Sequence, residues 1–238
     1  CFKEGIDCKE VSAHGTIHHN DIHDNSRQGI YVDAWFGLLE DVDVYDNVIC
    51  RCEIGIAVSV ECDTSIMKNV RIHHNVIYDN RGSGFVIGVW GKDNPRRELF
   101  FYNNTLYKNG SPAHWSGATG GIDIRSANIS AIYIVNNISV YNYAFDIATF
   151  NNPSDGLAEL KNRNIIIDNN LLSSDKGIDF EKGEFLPVYA FPGTHYLIAD
   201  PVFEDAGNEN FKLKKVSPAI DRAKAVNEFA TGRNIGAL

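Results

Sequence analysis

Asp33 in "GIYVDAW" and Glu61 in "GIAVSVE" are carboxylates carried by two phrases that otherwise repeat one another. Two facing carboxyl groups can divide acid, base and nucleophile roles on a glycosidic bond. About 5–5.5 Å apart they suit double displacement, and about 6.5–9.5 Å apart they leave room for an attacking water. Trp35 and Trp90 add flat apolar faces with an N–H at the rim, a surface on which a sugar ring can rest.

These residues are brought together by a column rule. In "GIDCK", "GIYVD", "GIAVSVE", "GFVIGVWG" and "GIDIRS", apolar and variable residues alternate as in a strand with one buried face. If such strands stack about 4.8 Å apart, residues at equal offset from the glycine lie above one another. Ile30 and Val32, with Ile56, Val58 and Val60, then point inward. The outward columns read Asp7, Tyr31, Ala57, Val86, Asp123, then Lys9, Asp33, Ser59, Gly88, Arg125, then Trp35, Glu61, Trp90. One outer face is expected to hold Asp33 and Glu61 on neighbouring coils with Cα atoms about 8 Å apart. Lys9 and Arg125 flank them, and Ala57, Ser59 and Gly88 form a floor of small residues. An outward acid pair is ordinarily just solvated; exposed tryptophans and a strand glycine in the same patch make this a candidate substrate face.

A second regularity sets the coil. Asn20, Asn47, Asn75, Asn104, Asn137 and Asn170 recur at spacings of 27, 28, 29, 33 and 33, as in a solenoid with insertions. Asparagine tolerates left-handed backbone, and its amide can bond that of the next coil, so the series predicts a stacked ladder at one corner. The expected fold is all-β, a right-handed single-stranded parallel β-helix over residues 1–190. An irregular C-terminal segment over 191–238 is expected to cap its last open core. An antiparallel sandwich would not keep Asn and Gly in register over six units.

Hydrophobic residues make up 44% and charged residues 22% of the 238 residues, enough apolar surface for a core. No apolar run approaches the roughly 20 residues of a membrane helix, and no basic-then-apolar leader opens the chain. It begins at Cys1 without Met, so upstream sequence is expected. The formal charge of −9 argues against a nucleic-acid partner, and no membrane partner is expected; an oligo- or polysaccharide fits better. Oligomeric state is left open. Cys1, Cys8, Cys50, Cys52 and Cys62 contain no CxxC pair and are expected as buried thiols. His19, Asp46 and His74 share a column, but the histidines are two coils apart, near 9.6 Å. They predict a polar corner, with no metal and no cofactor.

Residues 3–91 resemble glycoside hydrolase family 120, β-xylosidases built on a pectate-lyase-like β-helix. The likeness rests on "KEGIDCKE", "HGTIHHN", "GIYVDAW", "GIAVSVE" and "NVRIHHNVIYDN". It implies hydrolysis of a xylose-type bond with retention, Asp33 as nucleophile and Glu61 as acid/base, and Glu4, Asp7 and Lys9 as groups that hold sugar hydroxyls. Family members carry further N-terminal coils and an inserted sandwich domain that this sequence does not contain, which leaves substrate and pocket shape open. The pieces "DPVF", "FKL", "SPAID" and "NIGA" resemble the tails of bacterial secreted β-helices, and a secreted or periplasmic setting is expected. Two rivals share the fold: a polysaccharide lyase with a Lys or Arg base, possible Ca²⁺ and an acidic glycan, and a non-catalytic carbohydrate-binding surface protein.

Overall fold

The first five strands of one sheet are each entered through a glycine, Gly5, Gly29, Gly55, Gly84 and Gly121, where neighbouring backbone or side chains pass closely. A Cβ placed on Gly55 would meet the Gly84 carbonyl oxygen and the Ile77 side chain, each at 2.4 Å, so only glycine opens the strand there. The computed structural model describes residues 2–112, 119–150, 153–177, 188–225 and 233–237. Three strands per coil stack into three sheets, parallel throughout except that Tyr189–Ala190 closes sheet 1 by pairing antiparallel with Ile147–Thr149. Sheet 1 holds Ile6–Glu10, Gln28–Ala34, Ile54–Val60, Phe85–Ile87, Ile122–Ile124 and Ile147–Thr149. Sheet 2 runs from Ala13–His18 to Ile165–Asp168, and sheet 3 from Asp21–His23 to Leu197–Ile198.

The expected columns are the observed register. Lys9 pairs with Asp33 and Asp33 with Ser59, while Asp7 pairs with Tyr31 and Tyr31 with Ala57. Ile30, Ile56, Phe85 and Ile122 form one inward stack, and Phe85 lies flat on Phe101 of sheet 2 at 4.0 Å. The inward residues of all three sheets merge into one core, so burial of apolar area holds the coils together.

The asparagine ladder is continuous. Asn20, Asn47, Asn75, Asn104 and Asn137 each donate a side-chain amide N–H to the Oδ1 of the next asparagine, at 2.9–3.2 Å. Left-handed backbone falls on the residue before the ladder asparagine, not on it as the sequence suggested. His19, Asp46, His74, Asn103, Asn136 and Asn169 occupy that column at φ 53–57°. A second ladder, not anticipated, lines the next corner: Asn80 donates to Asn109 and Asn109 to Asn142, with Cys52 taking the place of an asparagine one coil earlier.

The C-terminal end departs from a simple cap. Leu160 of the helix Pro153–Asn162 and Phe191 join the core at that end of the solenoid. The described residues beyond Ile198 instead lie along the flank of sheet 3. Phe203 and Phe211, on the paired strands Phe203–Asp205 and Asn210–Leu213, pack against Tyr107, and Phe211 also against Tyr78. Asn103, Asn136 and Asn169 of the left-handed column donate to the carbonyls of Asn234, Lys224 and Arg222. This explains why the later coils carry asparagine where the earlier ones carry His19, Asp46 and His74.

Candidate functional site

The sequence placed Asp33 on an open outer face, but the structure covers it. Strands Gln28–Ala34 and Ile54–Val60 are buried on both faces. Tyr31, Ile54, Ala57 and Val86 form a small apolar cluster under Trp90, and the Asp33 side chain is 0% exposed. Its Oδ2 accepts from Trp35 Nε1–H and from the Lys9 ammonium at 3.1 Å, while its buried Oδ1 has no hydrogen-bond partner among the described residues. On the next coil Glu61 is half-buried, and its Oε1 accepts from the Tyr31 hydroxyl. Lys9 lies 5.0 Å from the Trp35 ring centre and 3.9 Å from Asp7, so one cation serves two acids and an aromatic face.

The electrostatics follow from this crowding. Burial, then the charge of Glu61, pushes the Asp33 carboxyl up to about 7, against Lys9 and Trp35, which hold it down. Burial alone would lower the Lys9 ammonium, but its hydrogen bond and attraction to Asp33 carry it above the usual lysine range. Burial, with Glu4 and Glu61 adding repulsion, also raises Asp7 despite Lys9. Burial lifts the Tyr31 phenol, and Asp33 and Glu61 lift it further, so it remains a donor.

Of the residues named from sequence, Asp7, Lys9, Asp33, Trp35 and Glu61 converge, with Trp90 edge-on to Tyr31 at 5.7 Å. Glu4 is held by Arg27 at 3.2 Å and reaches the cluster through its charge on Asp7. Asp123 and Arg125 are not brought in. They form a buried ion pair at 2.8 Å, and Arg125 sits three rungs from Asp33, about 14 Å at the strand spacing. Gly88 is not open floor, because a Cβ there would meet the Trp90 ring at 2.2 Å. Cys50 and Cys52 are buried free thiols as expected, Cys8 and Cys62 are only half-buried, and Cys1 lies outside the described residues.

Two contributors were missed. Tyr31 lies in the outward column between Asp7 and Ala57, and its hydroxyl bonds Glu61. Arg96 of sheet 2 shares a rung with the core residues Met67 and Ile129, yet it is a fully buried arginine. Its guanidinium donates to the carbonyls of Gly88 and Asn94, both at 2.6 Å, to Asp93 Oδ1 at 3.0 Å, and to the hydroxyls of Ser126 and Ser59. Burial lowers it to about 10, with Asp93 opposing. It fixes the strand end beneath Trp90 and the serine next to Asp33 on the same rung.

Among the described residues, His14, Glu40 and Asp41 bring possible metal-ligand atoms within 4.8 Å of one another, on sheet 2 rather than beside Asp33. His19 and His74 do not join such a group. No helix among the described residues is long and apolar enough to cross a membrane. A family model described as right handed beta helix region matches residues 1–138, more than half of the chain. No curated protein and no solved structure matches the chain.

Proposed function

The chain belongs to the right-handed β-helix family, and on that premise we propose that it is a retaining glycoside hydrolase acting on β-xylosides or related glycans, with Asp33 and Glu61 as the reacting pair. The observation that carries this reading is the asymmetry of Asp33, one of whose oxygens holds both donors while the other has no hydrogen-bond partner among the described residues. Donors on Oδ2 favour the carboxylate form and hold it in place, leaving Oδ1 to attack an anomeric carbon. Glu61, nearer solvent, gives its proton to the departing oxygen as that bond breaks. A glycosyl ester on Asp33 results; Glu61 then takes a proton from water, which attacks the same carbon and frees Asp33. Because Asp33 is covered and its Oδ1 is buried, substrate reaches that oxygen only if the side chains over it move aside while Lys9 and Trp35 keep Oδ2.

One observation favours the opposite division of roles. A carboxyl at about 7 holds its proton better than an ordinary carboxylate, which suits a general acid. The lyase alternative has less support, since Lys9 is held charged by Asp33 and Arg125 is paired with buried Asp123, whereas a lyase base must lose its proton.

The test is hydrolysis of aryl glycosides, led by aryl β-xyloside, by the intact chain and by Asp33→Ala and Glu61→Ala, with azide added to the variants. If Asp33 is the nucleophile, azide restores Asp33→Ala with an inverted glycosyl azide and Glu61→Ala with a retained one; exchanged products assign the roles the other way. No hydrolysis by the folded intact chain across the panel would sink the glycosidase reading.

A further inference from the structure

A second cleft, of about 500 Å³, opens where the C-terminal segment meets sheet 3, lined by Tyr107, Lys108, Tyr141, Asp200, Phe203 and Lys214 among others. Its volume is in the range of small-ligand sites. Tyr141 is the informative residue. It occupies the left-handed position of the second corner, at φ 57°, where other coils carry Asp24, Arg51, Asp79 and Lys108. Those residues are charged and sit naturally at a solvated turn. A bulky tyrosine is disfavoured in left-handed backbone, and this one remains 45% exposed. Neither local conformation nor core burial accounts for an aromatic ring there.

The surroundings do account for it. The Tyr107 and Tyr141 rings meet edge to face at 5.8 Å, and Phe203 packs on Tyr107 at 5.9 Å, so the aromatic wall is braced by the C-terminal segment. Asp200 faces the Tyr141 hydroxyl. Lys108, poised over the Tyr107 ring at 5.1 Å, and Lys214 supply ammonium donors on the cleft wall. An aromatic face ringed by donors and an acceptor matches a pyranose, which has an apolar face and an equatorial belt of hydroxyls.

We infer that this cleft binds a saccharide unit stacked on Tyr141, at a site separate from Asp33 and independent of whether that residue catalyses anything. Lys108 and Lys214 donate to ring hydroxyls, and Asp200 accepts from them.

The test is calorimetric titration of xylohexaose, and separately of a galacturonic acid hexamer, into the Asp33→Ala chain with and without Tyr141→Asn. Asparagine suits the left-handed corner better than tyrosine, so the melting temperature should hold or rise. The Kd for at least one hexamer should rise tenfold or more. Unchanged affinity, failure of both hexamers to bind, or a fall in melting temperature as large as that of a core truncation would each overturn the inference. The readout is binding, so absence of aryl glycoside hydrolysis would count against the proposed catalysis and leave this result intact.

Discussion

Lys9 Nζ lies 3.1 Å from Asp33 Oδ2 across the rung that pairs the two residues. The ammonium is partly exposed and the carboxylate is fully covered, so a surface cation sets the charge state of a buried acid. A single side chain can therefore be changed to retune Asp33 without cutting into the core.

Lys9→Met should move Asp33 further up. The opposing charge is lost while burial and Glu61 remain, and removal of a contacting cation shifts a carboxyl by about 1 pH unit or more. Carboxyl-carbon NMR of aspartate-labelled protein gives the half-point directly. If hydrolysis depends on the Asp33 carboxylate, its acid limb moves upward with that half-point. A half-point that stays near 7 would remove Lys9 from this role.

Asp33→Asn should stabilise the fold at alkaline pH. The folded carboxyl holds its proton up to about 7, against 3.8 for the reference carboxyl. Folding stability linked to Asp33 is therefore fully present below the reference value, falls as pH rises between the two, and stays low above 7. Asparagine mimics the protonated form and avoids that loss. The variant should melt several degrees higher at pH 8, at about 2–4 °C per kcal/mol for a chain of this size. Near pH 4 the difference should vanish, and a difference independent of pH would refute the linkage.

Much of this site was readable because sheet 1 announces its register twice, by period-two alternation and by a glycine opening each phrase. Asp33 could thus be set beside Lys9 and one coil from Glu61 without coordinates. Asp123 and Arg125 were misjudged because residues two apart on one strand face can satisfy each other, which column position alone does not reveal. Arg96 belongs to another sheet, and its intrusion into a rung with Met67 and Ile129 is visible only once the strands are aligned. The second ladder was hidden by Cys52 standing where an asparagine would continue the pattern. The path of the C-terminal segment depends on Phe203 and Phe211 finding the outer face of sheet 3, a contact between segments far apart in the chain.

Arg96→Met should destabilise the protein by about 3 kcal/mol or more, since it leaves buried acceptors without their charged donor. The Gly88 and Asn94 carbonyls lose bonds of 2.6 Å, and Asp93 loses its ion pair. Urea denaturation measures the loss. Because Gly88 lies directly beneath the Trp90 ring, tryptophan emission should also change in the native baseline before unfolding. A cost below about 1 kcal/mol would mean that the strand end holds itself.

Truncations along the asparagine ladder should differ by position rather than residue type. Asn104 is fully buried, accepts from both the backbone and side chain of Asn75, and donates to Ile72, Tyr102 and Asn137. Alanine there strands donors and acceptors on three coils, at about 2–4 kcal/mol given roughly 1–3 for each buried group left unpaired. Asn20 is half-buried at the first rung, and among the described residues its side-chain amide donates to the His18 carbonyl and Asn47. Water can replace those bonds, so Asn20→Ala should cost below about 1 kcal/mol. Native-state hydrogen exchange should show the same gradient, with Asn104→Ala exposing amides on the coils above and below and Asn20→Ala affecting the first coil alone. Equal costs at the two positions would mean that each asparagine supports only its own turn and that the ladder does not couple the coils.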